Sequence, residues 1–146
     1  VEVYRRGLAQ LLSATDRAEV TNIRLVRGDG VDVLTHMVGP DSLTGVRVFF
    51  PDPWPKARHH KRRLLQADTM ALIADRLRPG GVLHAATDHL GYAEHIAEVG
   101  DAEPRLRRID RDTAELPISV ARPVTKYERK ALAGPIVTEL LWERIP

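Results

Sequence analysis

Cysteine is absent from the 146 residues. Disulfide frameworks, thiolate zinc sites and cysteine nucleophiles are excluded together. Long apolar runs are absent as well: nothing approaches the roughly 18 to 20 residues that cross a bilayer, and no charged start with an apolar block and cleavage site marks secretion. These absences predict a cytoplasmic protein with no membrane partner. Net charge is scarce, with Lys+Arg 22 against Asp+Glu 20, so the total says little about partners. What is present is 43% hydrophobic residues, which predicts one compact domain over 1–146.

The charge that exists is unevenly spread. Lys56, Arg58, Lys61, Arg62 and Arg63 fall within eight positions that hold no acid. Such a density suits either a phosphate-rich partner or a solvated helix start.

Short apolar runs alternate with helical patterns. The pattern predicts a strand tail at 1–3, a helix over 5–19, a strand over 22–29 and a short helix over 30–38. A buried strand over 46–50 follows, then a long helix over 60–77 stopped by "RPGG", a strand over 82–87 and a helix over 92–99. A charged stretch over 101–124 holds a short strand near "LRRI", and 136–145 reads as a final strand. This order implies an α/β domain with a mainly parallel sheet and helices on both faces. Because Val1 opens inside an apparent strand tail, the chain is expected to be the C-terminal part of a longer polypeptide.

In such folds ligands gather beyond the C-terminal strand ends. Glu2, Asp29, Asp52 and Asp88 each stand at or just after a predicted strand end. Singly, each acid is explained by turn and cap preferences. Four together favour a ligand rich in donors, because carboxylates gathered at one sheet edge repel one another.

Asp52 lies in "FFPDPWPKARHHKRR", residues 49 to 63. Residues before proline are pushed towards extended backbone, and proline fixes its own φ. Pro51, Pro53 and Pro55 therefore make a stiff strap at a strand end. A carboxylate held this rigidly can accept the paired N1 and N2 hydrogens of a guanine edge. Trp54 either stacks on a base or packs under the strap. His59 and His60 have no neighbours that would complete a zinc site.

This stretch strongly resembles the signature of the bacterial tRNA (guanine-N7)-methyltransferases, which use S-adenosylmethionine. The resemblance continues through "LRPGGVLHAATDHLGYAEHI" (77 to 96) and "RPVTKYERKALAGP" (122 to 135), and so spans nearly the whole chain. It implies a Rossmann-like class I methyltransferase fold. It also implies that Glu2 holds the cofactor ribose, that Asp29 lies near the adenine, and that Asp52 touches cofactor and target base as the catalytic residue. Lys56, Asp88, Thr125, Lys126, Tyr127 and Glu128 match substrate-contacting positions; Tyr127 stands where Phe is common, and His89 where Trp is frequent. The family's glycine-rich cofactor loop is not in the chain, and would precede "VEV".

The implied chemistry is in-line attack of a guanine N7 of tRNA, a variable-loop guanosine by resemblance, on the sulfonium methyl. N7 carries no proton, so orientation supplies most of the acceleration, a contribution that reaches about 7 to 11 kcal/mol. A fixed carboxylate stabilises the positive charge that develops on the purine. Arg58, Lys61, Arg62 and Arg63 would hold RNA phosphates. A monomer or homodimer with no obligate protein partner is expected. Two alternatives remain at this stage: a methyltransferase of the same fold acting on a small molecule or protein, and a non-catalytic RNA-binding relative.

Overall fold

In the computed structural model the chain forms two compact units, Val1–Gly39 and Pro40–Pro146. The structure describes residues 1–112, 115–130 and 136–146, without the side chain of Tyr127. No helix among the described residues is long and apolar enough to cross a membrane.

The first unit holds α1 (Arg5–Arg17) and α2 (Gly30–His36). Helix α1 ends two residues before its predicted limit, because Glu19 turns left-handed at φ 53°. The Glu19 amide then donates to Asp16 O and the Val20 amide to Thr15 O, closing the last turn on its own carbonyls. The predicted strands at 1–3 and 22–29 reduce to one parallel bridge between Glu2 and Arg27.

The second unit is built on a four-stranded sheet. Its strands are β1 (Leu43–Phe49), β2 (Leu77–Thr87), β3 (Leu106–Arg108) and β4 (Thr138–Arg144), in the spatial order β1-β2-β4-β3. The β1 and β2 strands pair in parallel, with Phe49 opposite Ala86; β4 runs antiparallel to both β2 and β3. The α/β class is as expected, and the sheet is mixed. The difference arises at the C-terminal end, where β4 enters between β2 and β3. Alternation of strands and helices carries no information about that last insertion.

Strand β2 is buried from Gly81 to Thr87, which explains its unbroken "VLHAAT" run. Helices α3 (Ala67–Arg76) and α4 (Leu90–Ala102) touch each other and β2. Met70, Ile73 and Ala74 of α3 join Val82, Leu83, Tyr92, Ile96 and Trp142 in the core. The predicted helix over 60–77 is two elements, a 3-10 helix at Ala57–Arg62 and then α3. Gln66 separates them: its amide donates to Thr69 Oγ1 at 3.2 Å, and its Nε2 donates back to His60 O and Arg63 O. "RPGG" does not only stop a helix. It lies within the first part of β2 as a bulge, where the register moves from Leu43 opposite Leu77 to Gly45 opposite Val82. Gly80 adopts φ 80° there, and a Cβ on Gly81 would meet Arg78 O at 2.8 Å.

Candidate active site

The proline strap leaves the sheet where β1 and β2 end side by side. The Phe50 amide donates to Ala86 O at 2.8 Å, one bond beyond the ladder. Phe50 then bends left-handed at φ 51°, and Trp54 does so again at φ 44°. Bulky residues hold such angles only where their surroundings over-determine them, at about 1 to 3 kcal/mol each. Between the two bends lie Pro51, Asp52 and Pro53. Asp52 is exposed and accepts no hydrogen bond from any described residue. Asp88 follows the end of β2, on the neighbouring strand, and is half-buried.

Arg63 supplies the strap's main tether. It is only 5% exposed; its Nε donates to Pro53 O at 2.7 Å, and its guanidinium lies 4.8 Å over the ring of Tyr92. Tyr92 is fixed in turn, its hydroxyl accepting from the Leu65 amide at 2.9 Å, and burial raises its pKa. Arg63 is therefore withdrawn from the phosphate-facing set predicted for it. A run of cations in sequence does not reveal which one points inward.

Lys56, Arg58, Lys61 and Arg62 stay exposed on and around the 3-10 helix. Trp54 is half-buried, with the Arg62 guanidinium 5.0 Å over its ring and the His59 ring edge-on at 5.8 Å. The indole thus props the cationic turn against the strap. His60 is tied to the strap too, its Nε2 lying 3.3 Å from Pro55 O.

In the first unit, the bridge brings Glu2 and Arg27 together, so Glu2 and Asp29 leave adjacent parallel segments. Glu2 Oε1 accepts from the Val3 and Tyr4 amides at 2.8 and 3.0 Å. Asp29 caps α2, its Oδ1 accepting from the Val31 amide at 2.7 Å. Each exposed carboxylate is oriented through one oxygen, and the second accepts nothing from the described residues. Two oriented acceptors on adjacent segments, each with an outward oxygen, suit a ligand that carries hydroxyl or amino donors.

The late motif builds a helix start. Thr125 and Glu128 form a capping box for α5 (Lys126–Lys130): the Glu128 amide donates to Thr125 Oγ1 at 3.2 Å, and the Thr125 amide to Glu128 Oε2 at 2.7 Å. Arg122 grips the same carboxylate with both terminal nitrogens, at 2.6 and 2.7 Å. That bidentate bond, helped by the Thr125 amide, pulls the Glu128 pKa to about 2. Glu128 and Thr125 are thus committed to building α5, whereas Lys126 is exposed. The expected contact by Tyr127 concerns a side chain outside the described residues.

A sequence profile for a family described as "Putative methyltransferase" matches residues 1–135. The chain belongs to that methyltransferase family. Over 144 residues it is 87% identical to the tRNA (guanine-N(7)-)-methyltransferase of Mycolicibacterium vanbaalenii, covering 99% of this chain and 54% of that protein. It is 73% identical over 147 residues to the protein of the same name from Mycobacterium tuberculosis, covering 99% and 56%. The chain spans about half the length of these curated relatives. Among solved structures, an rRNA methylase from Streptococcus thermophilus superposes with a TM-score of 0.60 at 16% identity, over 99% of this chain and 70% of that one. A SAM-dependent O-methyltransferase from Thermotoga maritima gives 0.54 at 12% identity, over 97% and 48%. At such identities these two show a shared methyltransferase fold.

In this methyltransferase, sequence reasoning missed one polar group at the sheet. His84 on β2, fully buried, has Nε2 at 2.8 Å from Glu139 Oε2 on β4; Glu139 is also bonded by Arg111 and, at 3.3 Å, by Arg122. Burial lowers the His84 pKa despite the carboxylate. No spacing rule pairs residues 55 or 17 positions apart, so the group had no signature to read.

Proposed function

We propose that the full-length protein transfers a methyl group from S-adenosylmethionine to N7 of a guanosine in tRNA, in the cytoplasm. The observation that carries this reading is the aimed carboxylate: Asp52 is exposed and bonded by none of the described residues, yet stands on backbone fixed by prolines, two left-handed bends and the Arg63 tether. Such a group is pre-organised to accept from a base edge and to offset charge developing on it. The names of the curated relatives support the same substrate.

S-adenosylmethionine, when bound, supplies an electrophilic methyl on a sulfonium. Glu2 and Asp29 would hold its nucleoside through their outward oxygens. Asp52 orients the guanine and stabilises the cationic product; no base is needed, because N7 bears no proton. Asp88, Lys56 and Lys126 contact the nucleotide. Arg58, Lys61 and Arg62 contact phosphates, fixing the RNA's position rather than reading its sequence.

The test incubates the full-length protein with methyl-labelled cofactor and bulk tRNA, then digests to nucleosides. Label is expected in N7-methylguanosine, and an Asp52→Asn variant should lose it while tRNA affinity changes less than threefold. Label in another nucleoside, or in protein or small molecules, overturns the reading; turnover retained by Asp52→Asn removes Asp52 from catalysis.

A further inference from the structure

The Arg122 side chain is 7% exposed and has a task beyond capping α5. Its terminal nitrogens hold Glu128, and its Nε donates to Glu139 Oε1 at 3.3 Å. Glu139 is anchored through Oε2 to fully buried His84 in the central strand. So held from α5 and from β4, the guanidinium lies 5.2 Å from the ring centre of Phe50 and 5.9 Å from that of Phe49. Those two rings are the end of β1 and the left-handed bend from which the strap departs.

We infer that Arg122 is a positioning residue which, clamped between Glu128 and Glu139, braces the Phe49–Phe50 bend and so fixes the aim of Asp52. The inference rests on the catalytic reading of Asp52 given above. The bend needs such a brace, because a bulky residue in a left-handed conformation relaxes unless its ring and backbone are held. The backbone is held by the Phe50 bond to Ala86 O, and the ring by the guanidinium face. Only arginine suits this place: its planar fork binds one carboxylate bidentately, reaches a second, and still offers a face to the aromatics. Lysine offers one point charge and no face. The arrangement also reassigns the late motif, since Glu128 acts on the strap through Arg122 rather than on substrate directly.

Arg122→Lys and Glu128→Gln in the full-length protein test this. Each should lower kcat for methyl transfer at least tenfold while KM for tRNA stays within twofold. The double variant should be no slower than the slower single, because both remove one shared contact. A rise in KM at unchanged kcat would make Glu128 a substrate contact and overturn the inference. So would rate losses that merely follow the fraction unfolded at the assay temperature, measured by thermal melts. A second readout needs no turnover: by NMR hydrogen exchange, the Phe50 amide should exchange at least tenfold faster in Arg122→Lys, with the Met70 amide of α3 unchanged. Equal Phe50 exchange in variant and wild type overturns the brace whatever the activity. Wild type that methylates no tRNA guanine refutes the functional reading instead, and leaves the exchange test of the brace standing.

Discussion

Replacing Arg63 with Met separates the two roles that its sequence context and its environment suggest. Met keeps much of the stem volume and removes the charge. The lost bond from Nε to Pro53 O, at 2.7 Å, is charge-assisted and contributes about 1.5 to 3 kcal/mol. The lost contact over Tyr92, at 4.8 Å in a desolvated place, contributes about 2 kcal/mol. Removing a buried guanidinium also relieves its desolvation, so part of this sum is offset. A net destabilisation of about 2 to 3 kcal/mol is expected, or roughly 5 to 10 °C in the thermal midpoint. Urea titration followed by tryptophan fluorescence would read it, alongside tRNA binding at several salt concentrations. The slope of log affinity against log salt should not change, since an inward-facing arginine releases no counterions. Unchanged stability with a slope shallower by about one would refute the tether and return Arg63 to the phosphate contacts.

Removing the exposed Lys61 should give the opposite result, a shallower salt slope with the thermal midpoint within about 1 °C. His84 has a folded pKa below 6.5, so as pH falls below 6.5 the unfolded state takes up a proton before the folded one. Stability should therefore decline from pH 6.5 downwards, by at most about 1.4 kcal/mol per pH unit, and urea melts of His84→Asn should show a flatter profile over that window. Gly100→Ala should destabilise by about 1 to 3 kcal/mol in the same melts, because its Cβ would lie 2.6 Å from Cε2 of fully buried Trp142. Asp29→Asn keeps the cap on α2 but removes the charge, so calorimetry should find S-adenosylmethionine affinity about tenfold weaker with the thermal midpoint unmoved; equal affinity would limit Asp29 to capping.

Much of the strap was legible where the signal is local. Proline restricts its own φ and its predecessor's ψ, so "PDPWP" announces a stiff strap whatever surrounds it. An unbroken apolar run followed by an acid announces a buried strand ending in a carboxylate, and β2 with Asp88 follows that rule; β1, interrupted by Arg47, was expected to be buried and has no buried residue. The break between the 3-10 helix and α3 was less visible, since apolar spacing continues across Gln66 while its side chain closes the preceding turn. The sheet's mixed character was hidden for a related reason: the direction of β4 depends on where it inserts, not on its own alternation.

The sequence by itself therefore determined the α/β class, the stiffness of the strap and the acid it carries, because these follow from the conformational limits of neighbouring residues. The tertiary structure alone decided what the cations do. Arg62 props Trp54 at the surface, Arg63 next to it turns inward to hold Pro53, and Arg122, from far along the chain, lies against Phe49 and Phe50. All three are the same residue type. Their roles differ because desolvation and pairing depend on which distant atoms meet the guanidinium, and folding, not spacing, brings those atoms together.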